Sequence, residues 1–90
     1  MARKRERLEI IKDILAAARD KDGIGSTRLL YASNLSPQMH KDYLNELLTK
    51  GLLEETTAKN KKKHYHITSR GLRFLQRYEG FARFVDELGL

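Results

Sequence analysis

Ninety residues carry 18 Lys and Arg against 12 Asp and Glu, a net charge of +6; this is room for one small domain with a modest core, and the basic surplus points to a phosphate-rich partner. Cysteine is absent, which excludes disulfides, thiol nucleophiles and cysteine-ligated zinc. The basic start, MARKRER, leads into alternating charges and no apolar run approaches the ~18 residues of a membrane span, so neither a secretory nor a membrane role is expected.

Positions 3–21 place Leu8, Ile11, Leu15 and Ala18 on one stripe, widened by Ile10, Ile14 and Ala17, which is the period of a core-facing helix. Its first turn holds Arg3, Lys4, Arg5 and Arg7, cations that oppose the positive end of the helix dipole. They either serve a phosphate partner or form a frayed, solvated tail. A turn follows over residues 20–25. Gly23-Ile24-Gly25 matches the opening of a dinucleotide loop only in part, because no strand precedes it and no third glycine follows, so no site of that kind is expected.

Ser26 is placed to cap a second helix, 27–32, with Leu29, Leu30 and Tyr31 read as mostly interior and Arg28 as outward. The turn Ser33-Asn34-Leu35 then leads to Ser36, whose hydroxyl can accept from a free amide, and to Pro37, which sits where a missing N–H costs nothing. Tyr43, Leu44, Leu47 and Leu48 share one face of the helix that starts there, and Gln38, Lys41, Asp42 and Asn45 share the opposite one. Gly51 supplies the left-handed residue that ends it near Lys50. Helix, tight turn and helix form a helix-turn-helix whose second helix, 36–50, reads DNA. Leu35 fills the angle between the two helices.

Beyond Gly51 the period changes. Residues 52–56 read as a strand, 57–63 as a polar loop and 64–67 as a returning strand. Lys59, Lys61, Lys62 and Lys63 crowd the tip of this hairpin, and no acid lies between Thr56 and Gln76 to balance them. The hairpin is a basic wing, or else a solvated loop. Tyr65 and Ile67 face one side of the returning strand, His64 and His66 the other. His-x-His with no assured third ligand points to exposed wing histidines, not to a metal site.

Thr68 caps the last helix, 69–88, in which Leu72 and Leu75 can pack on the core. Phe74, Tyr78, Phe81, Val85 and Leu88 step by 4, 3, 4 and 3 residues, the spacing of a coiled-coil seam. A domain this small has little left to cover that stripe, which therefore suggests a homodimer or, failing that, simple core packing. Gly80 marks a break or a close crossing, and the apolar register continues through it. The expected fold is mainly α with a small β component (α+β): a winged helix-turn-helix over 1–68 and a dimerisation helix over 69–90.

The segments STRLLYASNLS, DYLNELLTKGLLEE and YHITSRGLRFLQRY, in this order, resemble the small archaeal winged-helix proteins of about ten kilodaltons that are associated with chromatin. The resemblance covers residues 8–80. It implies a winged helix with an added C-terminal helix, dimerisation through an antiparallel coiled coil, and DNA binding with little need for an enzyme activity. By position it puts the reading helix at 36–50, the wing at 57–63 and the coiled coil at 74–88.

The DNA reading divides the site in two. Arg3, Lys4, Arg5, Arg28, Lys59, Lys61, Lys62 and Lys63 would contact phosphates, which hold the duplex without reading it. Ser36, Gln38, His40 and Lys41 would face base edges, Gln38 suited to adenine and Lys41 to guanine. Asp42 and Glu46 on the same helix would repel phosphates. Phe74, Tyr78, Phe81, Val85 and Leu88 would form the dimer interface. A second class stays open, a winged helix whose exposed helix and wing meet an acidic protein surface. Nothing places a nucleophile beside a base, so an enzyme is not expected, and no cofactor or metal is called for. The expected setting is cytoplasmic, on the nucleoid.

Overall fold

The computed structural model describes the backbone of residues 3–90 and the side chains from Arg7 onward. The elements in order are α1 (Arg3–Asp20), β1 (Ile24–Gly25), α2 (Ser26–Ser33), α3 (Pro37–Thr49), β2 (Leu53–Thr57), β3 (Lys63–Ile67) and α4 (Ser69–Glu87). The strands form one antiparallel sheet in the order β1-β3-β2.

The core gathers one face of every helix. Ile11, Ile14, Leu15 and Ala18 from α1 meet Leu29 of α2, Leu44 and Leu47 of α3, and Leu75 of α4. Ile24, Leu53 and Tyr65 close it from the sheet. Leu8, expected on the buried stripe of α1, is 46% exposed. Leu72 is 38% exposed, and Leu75, at 1%, is the residue that anchors α4 in the core.

Local chemistry sets the boundaries. The Ser36 hydroxyl accepts from the Met39 amide, with Pro37 as the first helical residue of α3. At the other end Gly51 has φ +75°, and Leu52 N–H bonds back to Leu47 O while Gly51 N–H bonds to Leu48 O. These two bonds make a Schellman motif, which sends the chain directly into β2. The α2 start departs from expectation. Gly25, not Ser26, is the N-cap residue, and no side chain caps the helix. Asn34 ends α2 in the left-handed region at φ 56°.

β1 is the element missing from the sequence reading. It pairs Ile24 with Tyr65 and Gly25 with His64, and at two residues it is too short to show alternation. β2 starts one position later than expected and β3 one position earlier, with Leu53 opposite Ile67 and Thr57 opposite Lys63.

Thr68 joins the ends of three elements. Its hydroxyl accepts from Gly71 N at 3.1 Å to cap α4 and donates to Gly51 O at 2.7 Å. Arg70 adds a bond to Lys50 O. The end of α3 is thereby fixed to the start of α4. Gly71 is buried at that junction, where a Cβ would run into the Leu52 carbonyl and the Ile67 side chain. α4 then continues unbroken through Gly80, whose missing side chain faces open space.

Candidate nucleic-acid interface

α3 presents Gln38, Lys41, Asp42 and Asn45 to solvent, as its periodicity requires. Gln38 donates from Nε2 to Asp42 Oδ1 at 3.1 Å, so the acid is engaged by its own helix and holds the amide in place. Ser36 lies at the exposed start, its Oγ committed to the cap.

His40 corrects the sequence reading. It is 6% exposed, turned inward between α2 and α3, and unable to meet a base edge in this structure. Its Nδ1 lies 3.1 Å from Ser33 Oγ, and the Ser33 hydroxyl already donates to Leu30 O at 2.7 Å. The imidazole must therefore donate from Nδ1, which leaves Nε2 as a bare acceptor, buried with no hydrogen-bond partner. Burial pushes its pKa below the ordinary histidine value. An outward helical position and an inward one differ by a single residue here, and Met39 takes the outward place, 46% exposed.

Glu46 does not stand as a free repulsive charge on α3. Arg7 Nη2 binds Glu46 Oε2 at 2.6 Å and its guanidinium lies over the Tyr43 ring, 5.5 Å from the centroid. The hydrogen bond from Arg7 lowers the Glu46 pKa, and that same bond raises the arginine's. Arg7 is thus drawn out of the N-terminal basic cluster and onto α3. Arg3, Lys4 and Arg5 lie outside the residues whose side chains are described.

The wing carries Lys59, Lys61, Lys62 and Lys63, all exposed. A turn closed by Lys61 N–H to Ala58 O and Ala58 N–H to Lys62 O reverses the chain. Lys61 sits in the left-handed region at φ 66°, a place where most L-residues are strained and glycine is not. Lys63 Nζ reaches Glu55 Oε1 at 3.8 Å, a balancing acid from the facing strand that spacing along the chain conceals. Glu55 also accepts from Tyr65 OH at 3.0 Å, and desolvation first, then this bond, push the phenol up to about 12.

The wing histidines have structural work. His64 Nδ1 donates to Gly23 O and His66 Nδ1 to Asp22 Oδ1, both at 3.0 Å. His66 Nε2 accepts from the Thr56 hydroxyl. They fasten the loop before β1 to the hairpin and are half-buried in doing so. Among the described residues no cluster of three or more potential metal ligands forms.

This fastening brings distant cations together. Arg28 from α2 and Lys61, Lys62 and Lys63 from the wing line one open cleft of about 740 Å³. Lys21 stands on the same wall; from the sequence it was only a turn residue. Tyr31, read as interior, is 78% exposed, one turn beyond Arg28 on the outer face of α2. Helical arithmetic from Thr27 and Arg28, both outward, would have placed it there.

At the far end of the molecule, Phe81, Phe84 and Leu88 of α4 are more than half exposed, and Val85 is half-buried. Phe74 and Tyr78 are half-buried and stacked, with centroids 6.2 Å apart. The expected seam therefore divides into a half covered by the protein's own core and a half left open.

Comparison with known proteins gives a family and a set of folds. A family model described as winged helix-turn-helix matches residues 4–85. No curated protein matches the sequence. Among solved structures, Sso10a-2, a DNA-binding protein from Sulfolobus solfataricus, superposes with a TM-score of 0.73 at 29% identity, over 90% of this chain and 82% of that one. MepR, a transcription regulator of the Staphylococcus aureus multidrug efflux pump MepA, superposes at 0.77 with 14% identity, over 88% and 60% of the two chains. A MepR variant bound to an oligodeoxyribonucleotide gives 0.73 at 14% identity, over 92% and 60%. The MepR likenesses show the fold, and this chain spans about 60% of MepR's length. No described helix is long and apolar enough to cross a membrane.

Proposed function

This chain belongs to the winged helix-turn-helix family, and from that premise we propose that it binds duplex DNA as a homodimer, with α3 in the groove and the basic wing on the backbone. The observation that carries the reading is the convergence of Arg28 and the wing lysines, far apart in sequence, on one cleft. Cations assembled at the cost of mutual repulsion need a polyanion to offset them. The DNA-binding description of Sso10a-2 and the oligodeoxyribonucleotide held by MepR support the same direction.

Affinity comes from phosphates and little sequence is read. Arg3, Lys4, Arg5, Arg28, Lys59, Lys61, Lys62 and Lys63 are the positioning cations. With His40 buried and Ser36 spent on its cap, Gln38 and Lys41 remain as base readers, each discriminating by ~1–3 kcal/mol. Two such contacts suit a broadly specific, chromatin-associated protein on the nucleoid better than a dedicated repressor. Residues 1–68 are the binding unit and 69–90 the dimerisation helix, moored by Gly71 and Leu75. Its seam, an antiparallel coiled coil, is carried by Phe81, Val85 and Leu88, with Phe74 and Tyr78, half-buried on the domain itself, at its inner end. No catalytic step or cofactor belongs to this function.

The test is a titration of random and genomic-promoter duplexes with the wild type and a variant carrying Lys61→Ala, Lys62→Ala and Lys63→Ala, at two salt concentrations. Six phosphates neutralised per subunit give a slope of log affinity against log salt of about −5 per subunit. The triple variant loses most of that affinity and the two duplexes differ by less than about 100-fold, less than a dedicated regulator shows. Absence of binding at low salt, with the wing lysines instead required to capture an acidic protein, would replace DNA by a protein partner.

A further inference from the structure

The open cleft between the start of α2 and the wing gathers cations from three parts of the chain. Among the described residues, Lys21, Arg28, Lys61, Lys62 and Lys63 line it with one lining carboxylate, Asp22, whose Oδ1 accepts from His66 Nδ1, while Lys63 Nζ also lies 3.8 Å from Glu55 Oε1. The five cations come from three places in the chain: the turn after α1, the helix α2 and the hairpin tip. The hydroxyls of Ser26 and Thr27 lie on the same wall and are exposed. Its volume of about 740 Å³ falls within the roughly 300–1,000 Å³ of small-ligand sites. The lining is cationic where such sites are usually apolar, so its ligand must itself be a compact polyanion.

We infer that this cleft binds clustered phosphate oxyanions in the form of a free oligophosphate, the triphosphate chain of a nucleotide or an inorganic polyphosphate, and that the occupied cleft excludes DNA. A duplex spreads one charge over each ~1.7 Å of axis along a convex surface, whereas a triphosphate concentrates its charges in one flexible chain that can meet all five cations. Lysines act here as mobile point charges, and Arg28 can grip two oxygens of one phosphate. Gly23 and Gly25 of the turn before α2 also line the cleft, and the site depends on the hairpin folding over the α2 start, which His64 secures through Gly23 O. The exclusion rests on the DNA reading above, since Arg28 and the wing lysines serve both ligands.

The test titrates the whole chain with inorganic tripolyphosphate, free of divalent ions and at constant ionic strength, following binding by calorimetry and by amide NMR shifts. Duplex DNA is measured separately on the same samples. Two variants set the site against general charge: Lys21→Gln on the cleft wall, and Lys59→Gln on the wing but outside the cleft. The expected result is saturable binding, with shifts at Ser26, Thr27 and Arg28. Lys21→Gln weakens it about tenfold, the scale of one charge-assisted contact, and Lys59→Gln changes it less than about twofold. Tripolyphosphate displaces DNA from the wild type. Tripolyphosphate binding in the absence of DNA binding would sustain the cleft and end the DNA reading. DNA binding with no saturable tripolyphosphate binding would overturn the oligophosphate site and leave the DNA reading intact. Equal losses in the two variants would reduce the cleft to nonspecific charge, and saturation without displacement of DNA would refute the exclusion.

Discussion

Ser33 Oγ accepts a hydrogen bond from His40 Nδ1 at 3.1 Å, tying the end of α2 to the first turn of α3 inside the protein. The neutral imidazole fits this place and the imidazolium does not, because burial disfavours charge and a cation at a helix start opposes the dipole. The folded-state pKa of His40 is lowered, so in the interval below the ordinary value of ~6.5 the unfolded chain holds the extra proton. Stability is therefore fully present above about pH 6.5 and declines as pH falls toward the folded value. Denaturant unfolding at a series of pH values should show this decline. His40→Leu should remove His40's part of it and, by deleting a buried acceptor with no donor, leave stability at neutral pH within about 1 kcal/mol of wild type. An unchanged acid slope in that variant would assign the effect to other groups.

Lys61 occupies a left-handed position that costs an L-residue ~1–2 kcal/mol and glycine much less. Lys61→Gly is expected to raise stability by up to about 1 kcal/mol while weakening DNA binding by several-fold. Thermal melts and a DNA titration on one preparation would register both. A variant that is more stable and binds equally well would show that the Lys61 charge is idle.

Gly71 has no room for a methyl group against the Leu52 carbonyl. Gly71→Ala must push α4 away from the Leu52 carbonyl and Ile67, an overpacking cost of about 1–3 kcal/mol, and a loss of roughly 4–24 °C in Tm follows for a domain of this size. Gly80→Ala, facing open space in the same helix, should instead stabilise by up to about 1 kcal/mol. The contrast between the two melts checks the junction.

Arg7 neutralises Glu46 on α3 through the contact at 2.6 Å. Glu46→Gln should tighten DNA binding, and Arg7→Ala should weaken it, each by roughly two- to fivefold as for exposed charge pairs. Equal affinities across wild type and both variants at low salt would place this face of α3 away from the duplex.

The open half of the α4 seam is expected to make the wild type a dimer. Phe81→Glu with Leu88→Glu should give a monomer of 10.5 kDa by sedimentation, with the winged-helix core still folded because neither residue belongs to it. A wild type that sediments as a monomer at high concentration would end the dimer proposal.

The helices were legible in the sequence because their signals are local. A 3.6-residue stripe marked α1, Ser36-Pro37 and Gly51 bounded α3, and Thr68 capped α4, each requiring only neighbours along the chain. What escaped was whatever depends on elements meeting. β1 exists only because Tyr65 and His64 offer it a ladder, His40 turns inward because Ser33 waits there, and Glu46 is quenched by a residue from another helix. The cleft belongs to this second kind: its lysines and arginine were each visible as charges, but their convergence is set by how the hairpin folds back over the start of α2. Sequence periodicity thus determined which faces are apolar and where the chain turns, through short-range backbone and burial preferences. Tertiary packing decided which polar groups distant in sequence neutralise one another, as Arg7 and Glu46 do, and which cations share a cleft.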